Sequence, residues 1–201
     1  MLSSRTRNDK SQTYIDLHET SLSVGDPVKP AGNWFGYPTC FAVWDPSLFK
    51  DKQFKTGDMF VVTPNTSFTD SNCVGKATPP RLSFQAHSAP IAASFDSDAK
   101  NLYVSFHGSW DRQPATGFKM VEIPFKKGDT GLYEPVASAD SMKGYTDVIW
   151  AKDPGSCSAQ SLTQSSCWRM AAVTWEPAGT RLFVSSDNSD EGEIFVLSRG
   201  N

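Results

Sequence analysis

The amino-acid sequence predicts an all-β fold, and two observations support that prediction. Short runs rich in Val, Ile, Phe, Tyr and Thr recur between turn-forming residues, whereas almost no segment shows the apolar stripe of an amphipathic helix. The composition is that of a globular protein with many turns, because 38% of the 201 residues are hydrophobic and 14 are Gly and 13 Pro. The expected strands are Met59–Thr63, Ile91–Phe95, Leu102–Phe106, Phe118–Ile123, Ala171–Trp175, Arg181–Ser185 and Glu193–Leu197.

Charge and hydropathy argue against two classes of partner. The 19 Lys and Arg residues against 22 Asp and Glu give a net charge of -3, so the chain lacks the basic field that nucleic acid or an anionic membrane attracts. The longest apolar runs, such as Met59–Val62, fall far short of the roughly 20 residues that span a bilayer. Residues 1–10 are polar and lack the apolar segment of a signal peptide. We expect no nucleic-acid partner, no membrane partner and no signal peptide in this chain.

The four cysteines favour disulfides over metal or redox chemistry. None of their spacings is Cys-x-x-Cys, which argues against structural zinc and thioredoxin-like sites. Cys157 and Cys167 flank a Ser- and Gln-rich loop, and we expect a disulfide between them; the alternative is two unrelated cysteines in a cytosolic loop. Cys40 and Cys73 are the other two disulfide candidates. Asn65 begins an Asn-Thr-Ser glycosylation signal, so the chain is expected to be extracellular.

An internal repeat gives the fold prediction its architecture. Residues Ile91–Ser109 align without a gap on Ala171–Ser189, at an offset of 80. Both copies read as strand, tight turn, strand and loop, and a third strand follows each of them. A repeated antiparallel meander is typical of β-propeller blades, and chance similarity between two half-buried hairpins is the weaker alternative. The identical pairs are Ala92 with Ala172, Leu102 with Leu182, Val104 with Val184, Ser105 with Ser185 and Ser109 with Ser189.

The repeat also predicts where the functional loops meet. Small residues in Ile91–Ser94 and Ala171–Thr174 suit the innermost strand of a blade, beside the propeller axis. Because adjacent strands are antiparallel, the loop that enters an inner strand and the loop that leaves the second strand lie at the same end. We therefore expect four loops at one mouth of a central channel. These loops are residues 85–90, 107–111, 166–169 and 187–190.

The residues in these loops favour a planar, anionic ligand. His87, His107 and Arg169 carry donors for carboxylates, and Trp110 offers an aromatic face for stacking. The alternative for each histidine is a hydrogen bond that braces its own loop. For Arg169, the alternative is an ion pair with a neighbouring carboxylate such as Asp187. The acidic turn around residue 192 lacks the spacing of a calcium loop, so we expect it to be solvated.

Three motifs carry a resemblance to a known family. The segments Gly32–Cys40 (GNWFGYPTC), Ala86–Pro90 (AHSAP) and Phe106–Arg112 (FHGSWDR) resemble the pyrroloquinoline quinone (PQQ)-dependent sugar dehydrogenases. Within that group they are most similar to the fungal pyranose and sorbosone dehydrogenases. The similarity runs in order from about residue 12 to the C-terminus and includes Thr116–Lys119 and Cys167–Arg169.

The resemblance implies a six-bladed β-propeller that holds PQQ and calcium at one end of its axis. It implies that the C1 hydroxyl of an aldose or pyranose is oxidised by hydride transfer to PQQ. By motif position, His87, His107 and Trp110 would line the cofactor site, and Arg169 would face a carboxylate or carbonyl of PQQ. A sugar substrate and an electron acceptor are the expected partners, and a haem domain is a candidate acceptor.

The chain contains only about three of the six blades that the resemblance implies. We expect residues 1–201 to form the C-terminal part of a single propeller domain, with residues 1–31 a divergent N-terminal segment and 32–201 the blade repeats. In the family, the catalytic histidine and the calcium ligands precede the GNWFGYP motif. We therefore expect no catalytic base and no metal ligand in this chain, and an N-terminal half of the propeller as a missing partner.

Two other functions are open at this point. A non-catalytic binding or scaffold propeller agrees with the expected lack of a base. A calcium-dependent lactonase-type hydrolase is less favoured, because the channel loops would then need several Asp, Asn or Glu side chains, whereas the loops predicted here are rich in His, Trp and Arg.

Overall fold

The structure is a computed structural model, and it describes residues 14–15, 34–109, 111–129, 131–157, 167–188 and 192–198. The chain divides into two compact units, one of residues 1–86 and 137–144 and the other of residues 87–136 and 145–201. Within the described ranges, no helix is long and apolar enough to cross a membrane. The strands are β1 Tyr14–Ile15, β2 Cys40–Ala42, β3 Met59–Val61, β4 Leu82–Ser83, β5 Pro90–Phe95, β6 Asn101–His107, β7 Phe118–Lys127, β8 Tyr133–Pro135, β9 Thr146–Trp150, β10 Met170–Trp175, β11 Arg181–Ser186 and β12 Glu193–Ser198.

The predicted all-β class is confirmed, and each of the seven expected strands is present within a few residues of its expected bounds. The largest change is in β7, which continues past Ile123 to Lys127. The sequence analysis missed the short strands β1, β2, β4 and β8, as well as β9. In the part of the chain that the structure describes, the helical elements are a one-turn helix, α1, at Asp70–Cys73 and two 3-10 turns at Pro46–Leu48 and Pro154–Ser156.

The first unit is built around two short antiparallel strand pairs. In one of them, β2 pairs with β3 in a register that places Cys40 opposite Val61. Both residues are buried with Met59 in a small apolar cluster. A disulfide joins Cys40 to Cys73 and so connects β2 to α1. In the other pair, β1 runs antiparallel to β4.

The second unit contains the two copies of the repeat as separate antiparallel sheets. In the first sheet, β5, β6, β7 and β9 are adjacent in that order, and β8 forms a hairpin with the distal half of β7. The second sheet has the order β10, β11, β12. The three strands of each repeat copy, β5 to β7 and β10 to β12, are neighbours in chain order, as the predicted meander requires.

The repeat is preserved in the hydrogen-bond register of the two sheets. Ala92 lies opposite Ser105 in the first sheet, and Ala172 lies opposite Ser185 in the second. Both inner pairs have an irregularity at the same position, between Pro90 and Ala92 and between Met170 and Ala172. The shared register and irregularity favour the repeat over chance similarity as the source of the offset of 80.

The two sheets pack against each other through a shared apolar core. The first sheet contributes Tyr103 and Met120, and the second contributes Val173, Leu182 and Val184. Met120, Leu182 and Val184 are at most 1% exposed, so this contact is a true core and fixes the two sheets relative to one another. The loops at the ends of their strands are held in place as a result.

Candidate functional site

The strand directions bring the predicted loops to one end of the second unit. His87 and Arg169 lie just before β5 and β10, where each sheet begins. His107 ends β6, and Asp187 follows the last residue of β11. Because each inner strand is antiparallel to its neighbour, these four residues share one end of the paired sheets.

The loop before β5 is held in an unusual backbone conformation. His87 and Ala89 have φ angles of 60° and 52°, which side chains with a Cβ rarely adopt. The loop is fixed by two backbone hydrogen bonds: the N–H of His107 donates to the carbonyl of Ala89 (2.9 Å), and that of Gly108 donates to Ser88 (3.1 Å). A Cβ on Gly117 would lie only 2.4 Å from Cα of Ser88, so glycine is required there for the loop to close.

The loop before β10 is held in the corresponding way. The backbone N–H of Asp187 donates to the carbonyl of Arg169 (3.1 Å), at the repeat position of the bond between His107 and Ala89. The backbone N–H of Arg169 donates to Oγ of Ser186 (3.0 Å). The Cys157–Cys167 disulfide, which confirms the predicted pairing, closes two residues before Arg169. The main chain of Arg169 is therefore fixed from both sides.

Three of these side chains form one hydrogen-bonded chain. Nη2 of Arg169 lies 2.7 Å from Nδ1 of His107, and Nε2 of His107 lies 2.6 Å from Oδ1 of Asp187. A guanidinium can only donate, so Nδ1 of His107 must accept and the ring proton is on Nε2. The order of donation is thus Arg169 to His107 to Asp187, with a neutral imidazole between a cation and a carboxylate.

The other terminal nitrogen of Arg169 has no hydrogen-bond partner in the described part of the chain. Nη1 is buried there and unsatisfied. Burial lowers the pKa of the Arg169 guanidinium, and the negative charge of Asp187 raises it in part. Arginine stays protonated under such a shift. An unsatisfied, cationic N–H is a strong donor for an anionic oxygen.

His87 forms a separate pair beside this chain. Its Nδ1 lies 2.9 Å from Oδ1 of Asp111. An ionised carboxylate only accepts, so His87 carries its proton on Nδ1, opposite to His107. The loops that carry the two histidines are joined by the backbone hydrogen bonds from His107 to Ala89 and from Gly108 to Ser88. The pair confirms neither the ligand role nor the bracing role of His87.

Three of the four candidate residues therefore lie in the described site. Each of them belongs to one of two hydrogen-bonded groups, Arg169–His107–Asp187 and His87–Asp111. His107 and Arg169 touch, His87 lies on the adjoining loop, and Trp110 lies outside the described residues. The sequence analysis gave no role to Asp111 and considered Asp187 as an ion-pair partner of Arg169 and as part of the solvated acidic turn around residue 192. The offset of 80 aligns His107 with Asp187, and the packing of the two sheets brings these equivalent positions into contact.

The described residues do not form a cluster of metal-ligating side chains. Across the described ranges, no group of three or more His, Cys, Asp or Glu side chains is arranged to hold an ion. The acidic turn near residue 192 falls partly outside those ranges. Among the site residues described above, the donor left for a ligand is Nη1 of Arg169, and a cationic N–H suits an anionic oxygen.

Comparison with known proteins gives consistent matches over nearly the whole chain. The profile of the TrAA12-like family matches residues 15–200. A pyrroloquinoline quinone-dependent pyranose dehydrogenase from Coprinopsis cinerea is 36% identical over 191 residues, which are 92% of this chain and 26% of that protein. A pyrroloquinoline quinone-dependent sugar dehydrogenase from Hypocrea jecorina is 30% identical over 202 residues, with 96% and 42% covered.

Solved structures show the same relationship. The holo form of the pyranose dehydrogenase PQQ domain from Coprinopsis cinerea matches with a TM-score of 0.76 at 36% identity, over 87% of this chain and 42% of that one. The calcium structure of the Trichoderma reesei family AA12 protein matches with a TM-score of 0.72 at 30% identity, over 88% and 41%. The chain spans less than half the length of the relatives it matches.

Proposed function

Because the chain belongs to the TrAA12-like family, we propose that it is the C-terminal part of a β-propeller that binds PQQ in a sugar dehydrogenase. The observation that carries the proposal is the hydrogen-bonded chain of Arg169, His107 and Asp187, which leaves Nη1 of Arg169 buried and unsatisfied. The similar proteins from Coprinopsis cinerea and Hypocrea jecorina are PQQ-dependent, and their names identify a pyranose and a sugar as substrates.

The donor set fits the chemistry of PQQ. PQQ is a planar quinone that carries carboxylates, and Arg169 offers a cationic N–H that no described residue uses. Its guanidinium is held on the protein side by His107 and by the fixed main chain, so little side-chain freedom is lost on binding. We assign Nη1 of Arg169 to a PQQ carboxylate or carbonyl, with His87, His107 and Trp110 lining the same site.

The chemical step itself is not assigned to residues of this chain. PQQ supplies a quinone that accepts hydride from the C1 carbon of a sugar. The residues described here bind and orient: Arg169 by charge, and His107 by holding Arg169. We propose that the general base comes from the N-terminal half of the propeller, and that the electrons pass to an acceptor such as a haem domain.

Calcium is not assigned to residues of this chain. Calcium binds oxygen ligands, and the described residues hold no group of three or more His, Cys, Asp or Glu side chains arranged around an ion. We therefore derive no step through calcium here. Calcium in the complete protein would be bound by residues outside this chain, as the sequence analysis expects from the family.

An exposed sheet face supports the proposal that further blades complete the propeller. The face of the first sheet that contains Ala92, Tyr103 and Met120 packs on the second sheet. The face at the same repeat positions in the second sheet contains Ala172, Phe183 and Ile194, and Ile194 is 73% exposed. A surface that one copy buries and the other exposes is the expected binding face for a next blade.

Extracellular location is a further part of the proposal. Both cysteine pairs form disulfides, which persist in oxidising compartments. The predicted glycosylation site Asn65 is exposed and lies in a turn, where its Oδ1 accepts from the backbone N–H groups of Ser67 and Phe68. We propose that the protein is secreted and glycosylated at Asn65.

The test of the proposed site is a titration of the purified chain with PQQ, with and without calcium, followed by cofactor absorbance. We expect Arg169→Ala to weaken binding by about 1–3 kcal/mol, because it removes a charge-assisted hydrogen bond. Arg181→Ala is the matched control, since Arg181 lies at the opposite end of the same sheet and pairs there with Glu176. Equal affinities for the wild type and Arg169→Ala would contradict the proposed site.

Addition of aldoses and a dye acceptor to the PQQ-loaded chain then tests whether the general base is supplied from outside this chain. Binding without dye reduction supports a base that is supplied from outside the chain, and it is also what a binding propeller would give. Reduction of the dye by the chain alone would contradict our assignment of the base to the missing half.

A further inference from the structure

Asp187 is the terminal acceptor of the site, and the proposed function gives it no task. Its carboxylate lies at the solvent side, with the side chain 58% exposed, whereas that of His107 is 21% exposed. The backbone N–H of Asp187 is already used by the carbonyl of Arg169. Its side chain is therefore free to act on His107 without being needed for the loop's main-chain structure.

The contact with Asp187 fixes two properties of His107. It sets the rotation of the imidazole ring, because Nε2–H must point at Oδ1. It also holds the ring proton on Nε2, so that Nδ1 is left to accept. A correctly rotated, unprotonated Nδ1 is the acceptor that Nη2 of Arg169 needs, and it lies 2.7 Å away.

We propose that Asp187 is a positioning residue that acts through His107 to hold the guanidinium of Arg169 with Nη1 directed at the anionic ligand. The inference rests on the proposed function for the identity of the ligand, although the contacts themselves do not. Removal of the Asp187 acceptor releases the imidazole, and the guanidinium then loses its partner at Nη2. The anion would be bound by a side chain that is no longer preorganised.

The repeat explains why the hydrogen-bonded chain from Arg169 through His107 to Asp187 joins the two sheets. His107 and Asp187 occupy the same position in the two copies, each just beyond or at the end of the second strand. Their backbone N–H groups donate to the equivalent carbonyls of Ala89 and Arg169. Sheet packing places these equivalent positions side by side, so a His in one copy and an Asp in the next become hydrogen-bond partners.

The first test uses the ligand-free chain and does not depend on PQQ. In the imidazole ¹H–¹⁵N spectrum we expect the His107 proton on Nε2, with Nδ1 unprotonated. The Nε2–H signal should persist in Asp187→Asn, which keeps a carbonyl acceptor, and should be lost to exchange with water in Asp187→Ala. Glu176→Gln removes a carboxylate at the opposite end of the same sheet and should leave the signal unchanged. A proton on Nδ1 in the wild type, or an unchanged signal in Asp187→Ala, would overturn the inference.

The second test measures coupling between the residues. We expect Asp187→Ala to weaken PQQ binding by about five- to tenfold and Asp187→Asn by less than about twofold, because only the first removes the acceptor. In a His107→Ala background, Asp187→Ala should have no further effect. Additive losses would show that Asp187 acts independently of His107 and would overturn the positioning role.

The two tests separate the inference from the proposed function. If PQQ binds to the wild type and to Asp187→Ala equally well, the positioning role is wrong while the cofactor site stands. If PQQ does not bind to the wild type, the proposed function fails, and the spectrum of the ligand-free chain still decides whether Asp187 holds His107.

Discussion

The two copies of the repeat in the second unit share a backbone frame, which is their strand register and tight turns, but they differ in the side chains at one end of the strands. Both have the same register between their first two strands and the same irregularity near the start of the first. Their tight turns are also equivalent, since Ala99 donates to Asp96 in one and Gly179 donates to Glu176 in the other. Hydrophobic alternation and turn geometry thus give the same backbone frame in both copies, although few residues are identical.

The copies differ at the end of the strands that lies away from the tight turns, where the candidate site residues are found. Position 89 is an alanine and its equivalent, 169, is an arginine; position 107 is a histidine and its equivalent, 187, is an aspartate. These substitutions leave the backbone hydrogen bonds of the frame unchanged, because those bonds use only N–H and carbonyl groups. A repeat can therefore create a chemical site by changing loop-end side chains alone.

The largest expected effect tests whether equivalent positions have different roles in packing. Met120 and Ile194 are opposite Ser105 and Ser185, respectively, but Met120 is fully buried and Ile194 is 73% exposed. We expect Met120→Ala to lower the free energy of unfolding by about 2–5 kcal/mol, because it leaves a cavity between the sheets. Ile194→Ala should change it by less than about 0.5 kcal/mol.

Denaturant unfolding of the two variants measures this difference, and the same pair can be compared in a chain extended by the further blades that we propose. There, Ile194→Ala should become about as costly as Met120→Ala. A large cost of Ile194→Ala in the present chain, dependent on protein concentration, would instead show that a second copy covers this face.

The smallest expected effect concerns the turns at the far end of the sheets. In the second copy, the hydrogen bonds that Arg181 and Thr180 donate to Glu176 lower the pKa of that carboxyl to about 2. A folded pKa below the unfolded value means that the contribution to stability is present above about pH 4.5 and is lost as the pH falls towards 2. Glu176→Gln should therefore flatten the acid limb of the stability profile in this window.

The measurement is the denaturation midpoint of wild type and Glu176→Gln at a series of pH values below 5. Because the pair is at the surface, we expect a small difference that salt reduces further. An equally steep acid limb in the variant would mean that other carboxylates control it. Binding of PQQ at neutral pH should not change, since this turn lies at the other end of the sheet.

The sequence predicted the frame better than the site. The strands of the repeat alternate strongly and are long enough to be recognised, whereas β2 and β4 have only three and two residues and depend on tertiary partners. Loop convergence followed from strand direction, so His107 and Arg169 could be predicted to lie together. The pairing of His87 with Asp111, and the order of donation through His107, depend on side-chain rotamers that no sequence pattern encodes.

The central claim is that the loop ends of the two copies form one ligand site, and mapping of backbone amide shifts during a PQQ titration tests it most directly. We predict shifts at residues 87–89, 107–109, 169 and 187–188, with none at the turns of residues 96–101 and 176–181. Shifts concentrated at those turns, or none at the loop ends when PQQ is bound, would contradict the account.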